Sequence, residues 1–174
     1  MPGDLEGTLS ERHDMNDLRT RRAGALADTF APSLYRFAVR LVGQDADAED
    51  VVQQTFASVM AHADAFEGDD RSFRSWVFTI AYRTAMDVLR GRRRAVPLDE
   101  DVPAEAAEPV DLETPPAEIR RAFALISPDD QQILTLKYQD DFSNVEIAGI
   151  LGITATHVGV LLYRAKQNLR KAIR

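Results

Sequence analysis

Residues 143–165, SNVEIAGILGITATHVGVLLYRA, constrain the fold more than any other stretch of the chain. Ser143, with Glu146 three positions on, makes a capping box, in which the hydroxyl and the carboxylate each satisfy an orphan amide at a helix start. The apolar run Val145, Ile147, Ala148, Ile150, Leu151 stops at Gly152, the residue best able to take the left-handed conformation of a tight turn. Thr154 offers a second N-cap, and Val158, Leu161, Leu162, Ala165, Leu169 and Ile173 continue at three- and four-residue steps. A short helix, a glycine turn and a longer helix outline a helix-turn-helix, whose second helix can enter a major groove. Taken alone, the same outline also fits an ordinary helical hairpin in a bundle.

The 174 residues include no cysteine, which excludes disulfides, thiolate metal sites and cysteine nucleophiles. His13, His62 and His157 are far apart and lack partners at ligand spacing, so neither a metal nor another cofactor is expected. No apolar run approaches the roughly 18 residues of a membrane span, and the polar, acidic start MPGDLEGTLSERHDMND is unlike a signal peptide. A cytoplasmic protein is expected. The net charge of −7 argues against a nucleic-acid partner only until its distribution is considered. Residues 95–116 hold seven acids and no base, leaving 21 acids against 21 bases elsewhere. Nine of those bases gather in two patches, Arg90, Arg92, Arg93, Arg94 and Arg164, Lys166, Arg170, Lys171, Arg174.

The pattern predicts an all-α protein of two small helical domains joined by an acidic linker rich in proline and alanine. Residues 1–17 lack periodicity and read as a flexible leader. An N-terminal domain follows over 18–94. Its first helix carries Leu26, Phe30, Leu34, Phe37, Ala38 and Leu41 at helical steps, with a kink or break at Pro32 and an end at Gly43. The next opens in DADAED, whose acids suit a helix start. Val52, Thr55, Phe56, Val59 and Ala63 form its core face and leave Asp50, Gln53, Gln54 and Ala57 as a polar stripe, either solvated or a docking surface. After the loop FEGDDRS, Ser72 is expected to cap a long helix with core face Phe73, Val77, Ile80, Ala81, Thr84, Val88. A second stripe, Trp76, Thr79, Arg83, Met86, Arg90, with Arg74, Phe78 and Tyr82 beside it, interleaves aromatics with arginines. Such a stripe is either further core or a surface that stacks on bases and neutralises phosphates. Residues 95–116 form the linker, and 117–174 a four-helix unit ending in the helix-turn-helix, its second helix capped by Ser127 with Pro128 in the first position.

DAEDVVQQTF, FRSWVFTIAYRTAMDVLRGRRR, AFALISPDDQQILTLKYQDDFSNVEIAGILGIT and the closing YRAKQNLRKAI, in this order and spacing, resemble the bacterial RNA polymerase sigma factors of the extracytoplasmic-function (ECF) group of the sigma-70 family. The resemblance runs from about Ala23 to Ile173, leaving out the linker. It implies an initiation factor without catalysis of its own, with RNA polymerase core and promoter DNA as partners and, as often in the family, an anti-sigma factor. Asp47, Glu49, Asp50, Gln53, Gln54 and Phe56 would lie on or behind the face that meets the beta-prime clamp helices. Phe66, Arg71, Ser72, Phe73, Arg74, Trp76, Tyr82, Arg83, Arg90, Arg92 and Arg93 would open and hold the minus-ten element. Extracting a base costs a few kcal/mol, which stacking partners must offset. Ser143, Thr154, Thr156, His157, Val160, Tyr163, Arg164 and Lys166 would read the minus-thirty-five element. The run Thr156 to Leu162 departs from the family, which usually carries a lysine and an arginine there. Val160 is left to touch a thymine methyl and Thr156 or His157 to bond a base or phosphate, or else the face serves a protein contact.

Two other classes compete. A stand-alone helix-turn-helix regulator would bind a palindrome as a homodimer, and leaves the N-terminal half and the acidic tether without a purpose. A hydrolase using His62 near Asp64 lacks a nucleophile, an oxyanion-hole glycine run or a metal triad.

Overall fold

The computed structural model describes the backbone of residues 5–95 and 116–173, and side chains from residue 21 onward except at 22, 26, 27 and 93–95. Every regular element in it is helical. The order is α1 (Leu5–Val42), α2 (Asp45–His62), a 3₁₀ turn (Ala63–Ala65), α3 (Asp70–Ala95), α4 (Ala117–Leu125), α5 (Pro128–Tyr138), α6 (Asn144–Leu151) and α7 (Ala155–Ile173). The predicted linker lies outside the described residues apart from its two ends.

Helices α1, α2 and α3 pack mutually into the N-terminal domain. Leu34, Phe37 and Ala38 of α1, Val51 and Val59 of α2, and Val77, Phe78 and Ala81 of α3 are fully buried there. The rings of Phe37 and Phe78 meet at 5.1 Å. Burial of side chains of this size stabilises by about 1.5–3 kcal/mol each. That outweighs the roughly 3 kcal/mol cost of Pro32, which lies inside an unbroken α1 where a kink or break was expected. α1 also begins at Leu5, ahead of the expected start at residue 18. At its other end Gly43 (φ 71°) donates its amide to the Val39 carbonyl at 2.8 Å. One buried polar group on α2, Thr55, donates its hydroxyl to the Val51 carbonyl at 2.6 Å.

The start of α3 differs from expectation. Its cap is Asp69, whose Oδ1 accepts from the Ser72 amide at 2.8 Å and from the Ser72 hydroxyl at 2.5 Å. These hydrogen bonds hold the Asp69 carboxyl below its usual range.

The caps read from the sequence of the C-terminal unit are in place. Ser127 accepts from the Asp130 amide, with Pro128 in the first turn of α5. Ser143 Oγ accepts from the Glu146 amide at 3.2 Å while Glu146 Oε2 accepts from the Ser143 amide at 2.7 Å. Gly152 takes φ 70° and ends α6. Thr154 Oγ1 accepts from the His157 amide at 3.2 Å, opening α7. The axes of α6 and α7 turn by 101° at this break, within the range of helix-turn-helix units.

The two units touch. α6 lies against α3 and α5 against α1, with the Phe142 ring edge-on to Phe78 at 5.0 Å.

Candidate polymerase and nucleic-acid interfaces

On α2, Ala48, Val51, Thr55 and Val59 turn inward, which exposes Glu49, Asp50, Gln53, Gln54 and Ala57 as a continuous polar strip. Val52 and Phe56 are half-buried at its edge against the core. Asp47 stands apart from the strip. It is ion-paired with Arg92, whose Nη1 donates to the Val42 carbonyl at 2.9 Å. Both residues thus tie the end of α3 to the α1–α2 corner.

The aromatic stripe of α3 divides by face. Phe78 is fully buried, and Phe73 nearly so. Trp76 is half-exposed and lies under the Phe66 ring, stacked at 5.1 Å and 26°. Phe73 completes the cluster, 5.2 Å from Phe66 and 5.6 Å from Trp76. Gly68 makes room for it, since a Cβ there would stand 2.8 Å from the Phe66 ring. The cluster forms one wall of an open groove of about 490 Å³ between α2 and α3, where Arg83 and Asp87 continue from Trp76 and His62 closes the far side. Ser58 and Asp87 were not marked by any sequence pattern, and His62 only as a candidate of the hydrolase reading. His62 Nδ1 lies 2.8 Å from the Ser58 carbonyl, a local helix contact. Arg83 and Arg90 are exposed and two turns apart, Arg90 pairing with Asp87. Tyr82 is half-buried, and the side chain of Arg93 lies outside the described residues.

Arg71 and Arg74 point elsewhere. Their positions put them, with Ser75 and Phe78, on the side of α3 opposite Trp76 and Arg83. Arg71 Nε and Nη2 donate to the two carboxylate oxygens of Glu146 at 2.7 and 2.9 Å. Held by Arg71 and by Ser143, the Glu146 carboxyl falls to a pKa of about 2. Arg74 Nη1 donates to the Asp140 carbonyl at 2.6 Å, and its guanidinium sits 4.4 Å from the centre of the Phe142 ring. Burial lowers the pKa of Arg74 and of Arg40, and raises that of Asp140 against the pull of Arg74, Arg40 and Arg36.

In the helix-turn-helix, Val158, Leu162 and Ala165 face the core. Thr156, His157, Val160, Tyr163 and Arg164 are exposed together on the outer face of α7, with Val160 and Tyr163 at 49 and 66%. Lys166 lies over the Tyr138 ring at 5.1 Å. The Ser143 hydroxyl is occupied by the capping box and that of Thr154 by the His157 amide. Among the described residues no cluster of histidine and carboxylate side chains could hold a metal, and no single helix is long and apolar enough to cross a membrane.

A three-helix unit with an aromatic-basic groove, followed by a helix-turn-helix unit, is the architecture of an all-helical, two-domain protein of the kind found among transcription factors. The family models cover both units: sigma-70 region 2 matches residues 26–95 and sigma-70 region 4 matches residues 117–169. Among curated proteins it is similar to the ECF RNA polymerase sigma factor SigL of Mycobacterium tuberculosis, 33% identical over 151 residues that cover 84% of this chain and 85% of SigL. It is also similar to the RNA polymerase sigma factor CarQ of Myxococcus xanthus, 30% identical over 91% of this chain and 95% of CarQ. Among solved structures it resembles the sigma factor RpoE of Bartonella quintana, in co-crystal with the anti-sigma factor NepR, at 25% identity and a TM-score of 0.61, covering 83% of this chain and 92% of RpoE. The chain belongs to the ECF group of the sigma-70 family. It is a promoter-recognising sigma factor, and the stand-alone regulator is not favoured. Its relatives are sigma factors, which are not enzymes.

Proposed function

We propose that the groove between α2 and α3 receives the unpaired non-template strand of the minus-ten element, with Phe66 and Trp76 stacking on bases and Arg83 and Arg90 neutralising phosphates. The supporting observation is the half-exposed Trp76 with Arg83 beyond it along one wall of an open groove. Phe73 is the buried support of that wall. The exposed strip Glu49, Asp50, Gln53, Gln54, with Phe56 behind it, is the face offered to the polymerase clamp helices. Asp47 and Arg92 shape the corner beside it. In the C-terminal unit Thr156, His157, Val160, Tyr163 and Arg164 face the minus-thirty-five duplex, and Ser143 and Thr154 set the helix positions. The chain itself catalyses nothing and works in the cytoplasm beside polymerase. An anti-sigma factor is its expected antagonist, by analogy with the complex of its structural neighbour.

Two substitutions separate the roles. Trp76→Ala should leave association with core polymerase intact and lower open-complex formation by about 5- to 150-fold, the equivalent of about 1–3 kcal/mol of stacking per base. Asp50→Arg should do the reverse, weakening co-purification with core. Unaltered opening by the first variant would refute the groove assignment, and unaltered association by the second would refute the docking strip.

A further inference from the structure

Where α1 meets the end of α5, positive charge is left over. Asp140, only 4% exposed, is bonded to Arg74, whose Nη1 donates to its carbonyl at 2.6 Å and whose Nη2 stands 3.4 Å from Oδ1. Arg36 and Arg40 of α1 face the same carboxylate, yet neither comes within ion-pairing distance of it or of another acid among the described residues. Arg40 Nη1 reaches only the Arg36 carbonyl, at 3.3 Å, and the Arg36 side chain donates to nothing there. Both arginines are half-buried and stand one helical turn apart, a spacing at which like charges oppose the helix. A guanidinium cannot lose its proton to relieve this. Two cations are thus partly removed from water beside a single acid that is already bonded elsewhere, which burial penalises.

The facing side of α5 carries unused donors. Asp130 is tied to Asn168 of α7 at 2.7 Å, which fixes the side of α5 that α7 covers. Gln132, Thr135 and Gln139 recur at three- and four-residue steps on the other side, where α1 is in contact. Gln132 and Thr135 are 7% and 5% exposed. Both amide atoms of Gln132, the Thr135 hydroxyl and the Gln139 amide nitrogen find no partner among the described residues. Buried polar groups are as a rule hydrogen-bonded, and each one left alone opposes the fold. Uncompensated cations on one wall and unpaired donors on the other ask for the same thing, an oxyanion.

We propose that this seam binds a small phosphate-bearing anion, held between the Arg36 and Arg40 guanidiniums on α1 and the Thr135 hydroxyl and the Gln132 and Gln139 amide nitrogens on α5. The guanidinium fork matches phosphate oxygens in pairs. A phosphate monoester carries about −1.5 to −2 charge at pH 7, enough to balance both cations. Amide and hydroxyl donors serve the remaining oxygens, and Gln132 Oε1, an acceptor, suits a P–OH group. The α5 donors are buried beneath α1, which admits a small anion and not a nucleic-acid strand. Its walls belong to different units, so the anion bridges them and stabilises their contact by mass action. None of these residues lies in the Trp76 groove or on the outer face of α7, so the site stands apart from the promoter reading.

Calorimetric titration of the full chain with inorganic phosphate, and separately with ATP, tests the site. Each should show one saturable site per chain, and phosphate should raise the thermal midpoint where chloride at equal ionic strength does not. Arg36→Gln gives up no hydrogen bond of the phosphate-free protein, so its helical circular dichroism should be retained. It should bind about 10- to 150-fold more weakly, the equivalent of about 1.5–3 kcal/mol for one charge-assisted bond. Thr135→Val keeps the shape of the side chain; it should weaken binding by about 2- to 12-fold, the equivalent of about 0.5–1.5 kcal/mol, and stabilise the phosphate-free protein, which no longer buries a lone hydroxyl. Arg170→Gln with Lys171→Gln, exposed bases at the end of α7, should bind as the parent does. Equal affinity for the two probes identifies the phosphate group alone as the ligand, and tighter binding of ATP identifies a nucleotide. Absence of saturable binding, or binding that survives Arg36→Gln, would overturn the site. Loss of binding in the α7 variant would reduce it to adventitious surface charge, and unaltered binding by Thr135→Val would overturn its placement against α5.

Discussion

The aromatic wall of the groove depends on one absent side chain. A Cβ on residue 68 would lie 2.8 Å from Phe66 Cζ, 3.0 Å from Cε1 and 3.2 Å from the Ser72 Cβ. Ordinary contact begins near 3.4 Å, so the Phe66 ring must retreat by about 0.6 Å or more in Gly68→Ala. Wedged between Trp76 and Phe73, the ring can retreat only by loosening its stack on the one or its edge contact with the other. Each such aromatic pair contributes about 0.5–1.5 kcal/mol beyond area burial, so loosening them destabilises the N-terminal domain by up to about 1–3 kcal/mol. Phe66→Ala alone should cost at least as much, because ring burial is lost as well. Adding Gly68→Ala to Phe66→Ala should then cost almost nothing, because the ring that the new methyl strikes has gone. Urea unfolding monitored through Trp76, the sole tryptophan, reports on this cluster specifically. Additive costs in the double variant would refute the argument.

Three further outcomes follow from particular contacts. Glu146 has its pKa depressed from 4.5 to about 2, chiefly by Arg71, so its contribution is fully present above pH 4.5 and is lost as pH falls toward 2; acid unfolding curves of Glu146→Gln should be flatter than the parent's across that window. Ser143→Ala removes the hydroxyl half of the capping box and should lower the stability of the C-terminal unit by about 0.5–2 kcal/mol, read from denaturant midpoints. Arg92→Ala should lower N-terminal stability by about 1.5–3 kcal/mol through the lost charge-assisted bond to Val42, without weakening capture of single-stranded minus-ten DNA by the holoenzyme in a filter-binding assay.

What the sequence disclosed was local. Capping boxes, Pro128 and the glycine ends of α1 and α6 act within a few residues, so Ser127, Ser143, Gly43 and Gly152 could be read directly and stand where expected. Asp69 was overshadowed by Ser72, because both are good caps and only backbone geometry chooses between them. The early turns of α1 lack apolar periodicity, which is the signal by which a helix is recognised. The fate of the arginines was least legible. Arg71, Arg74, Arg83, Arg90 and Arg92 share one helix and one charge, yet they are spread among the C-terminal unit, the groove and the α1–α2 corner. Those pairings depend on residues dozens of positions away, on which periodicity is silent. Gly68 was visible as a loop glycine, but its contact with Phe66 emerges only when the chain is folded.

The account stands most directly on where the melted strand lies. Open complexes formed by the holoenzyme on a promoter whose non-template minus-ten strand carries halogenated pyrimidines can be cross-linked by ultraviolet light and the attached peptide mapped. Adducts at Phe66 or Trp76 are predicted. Adducts confined to α7, or to the polar strip of α2, would contradict it.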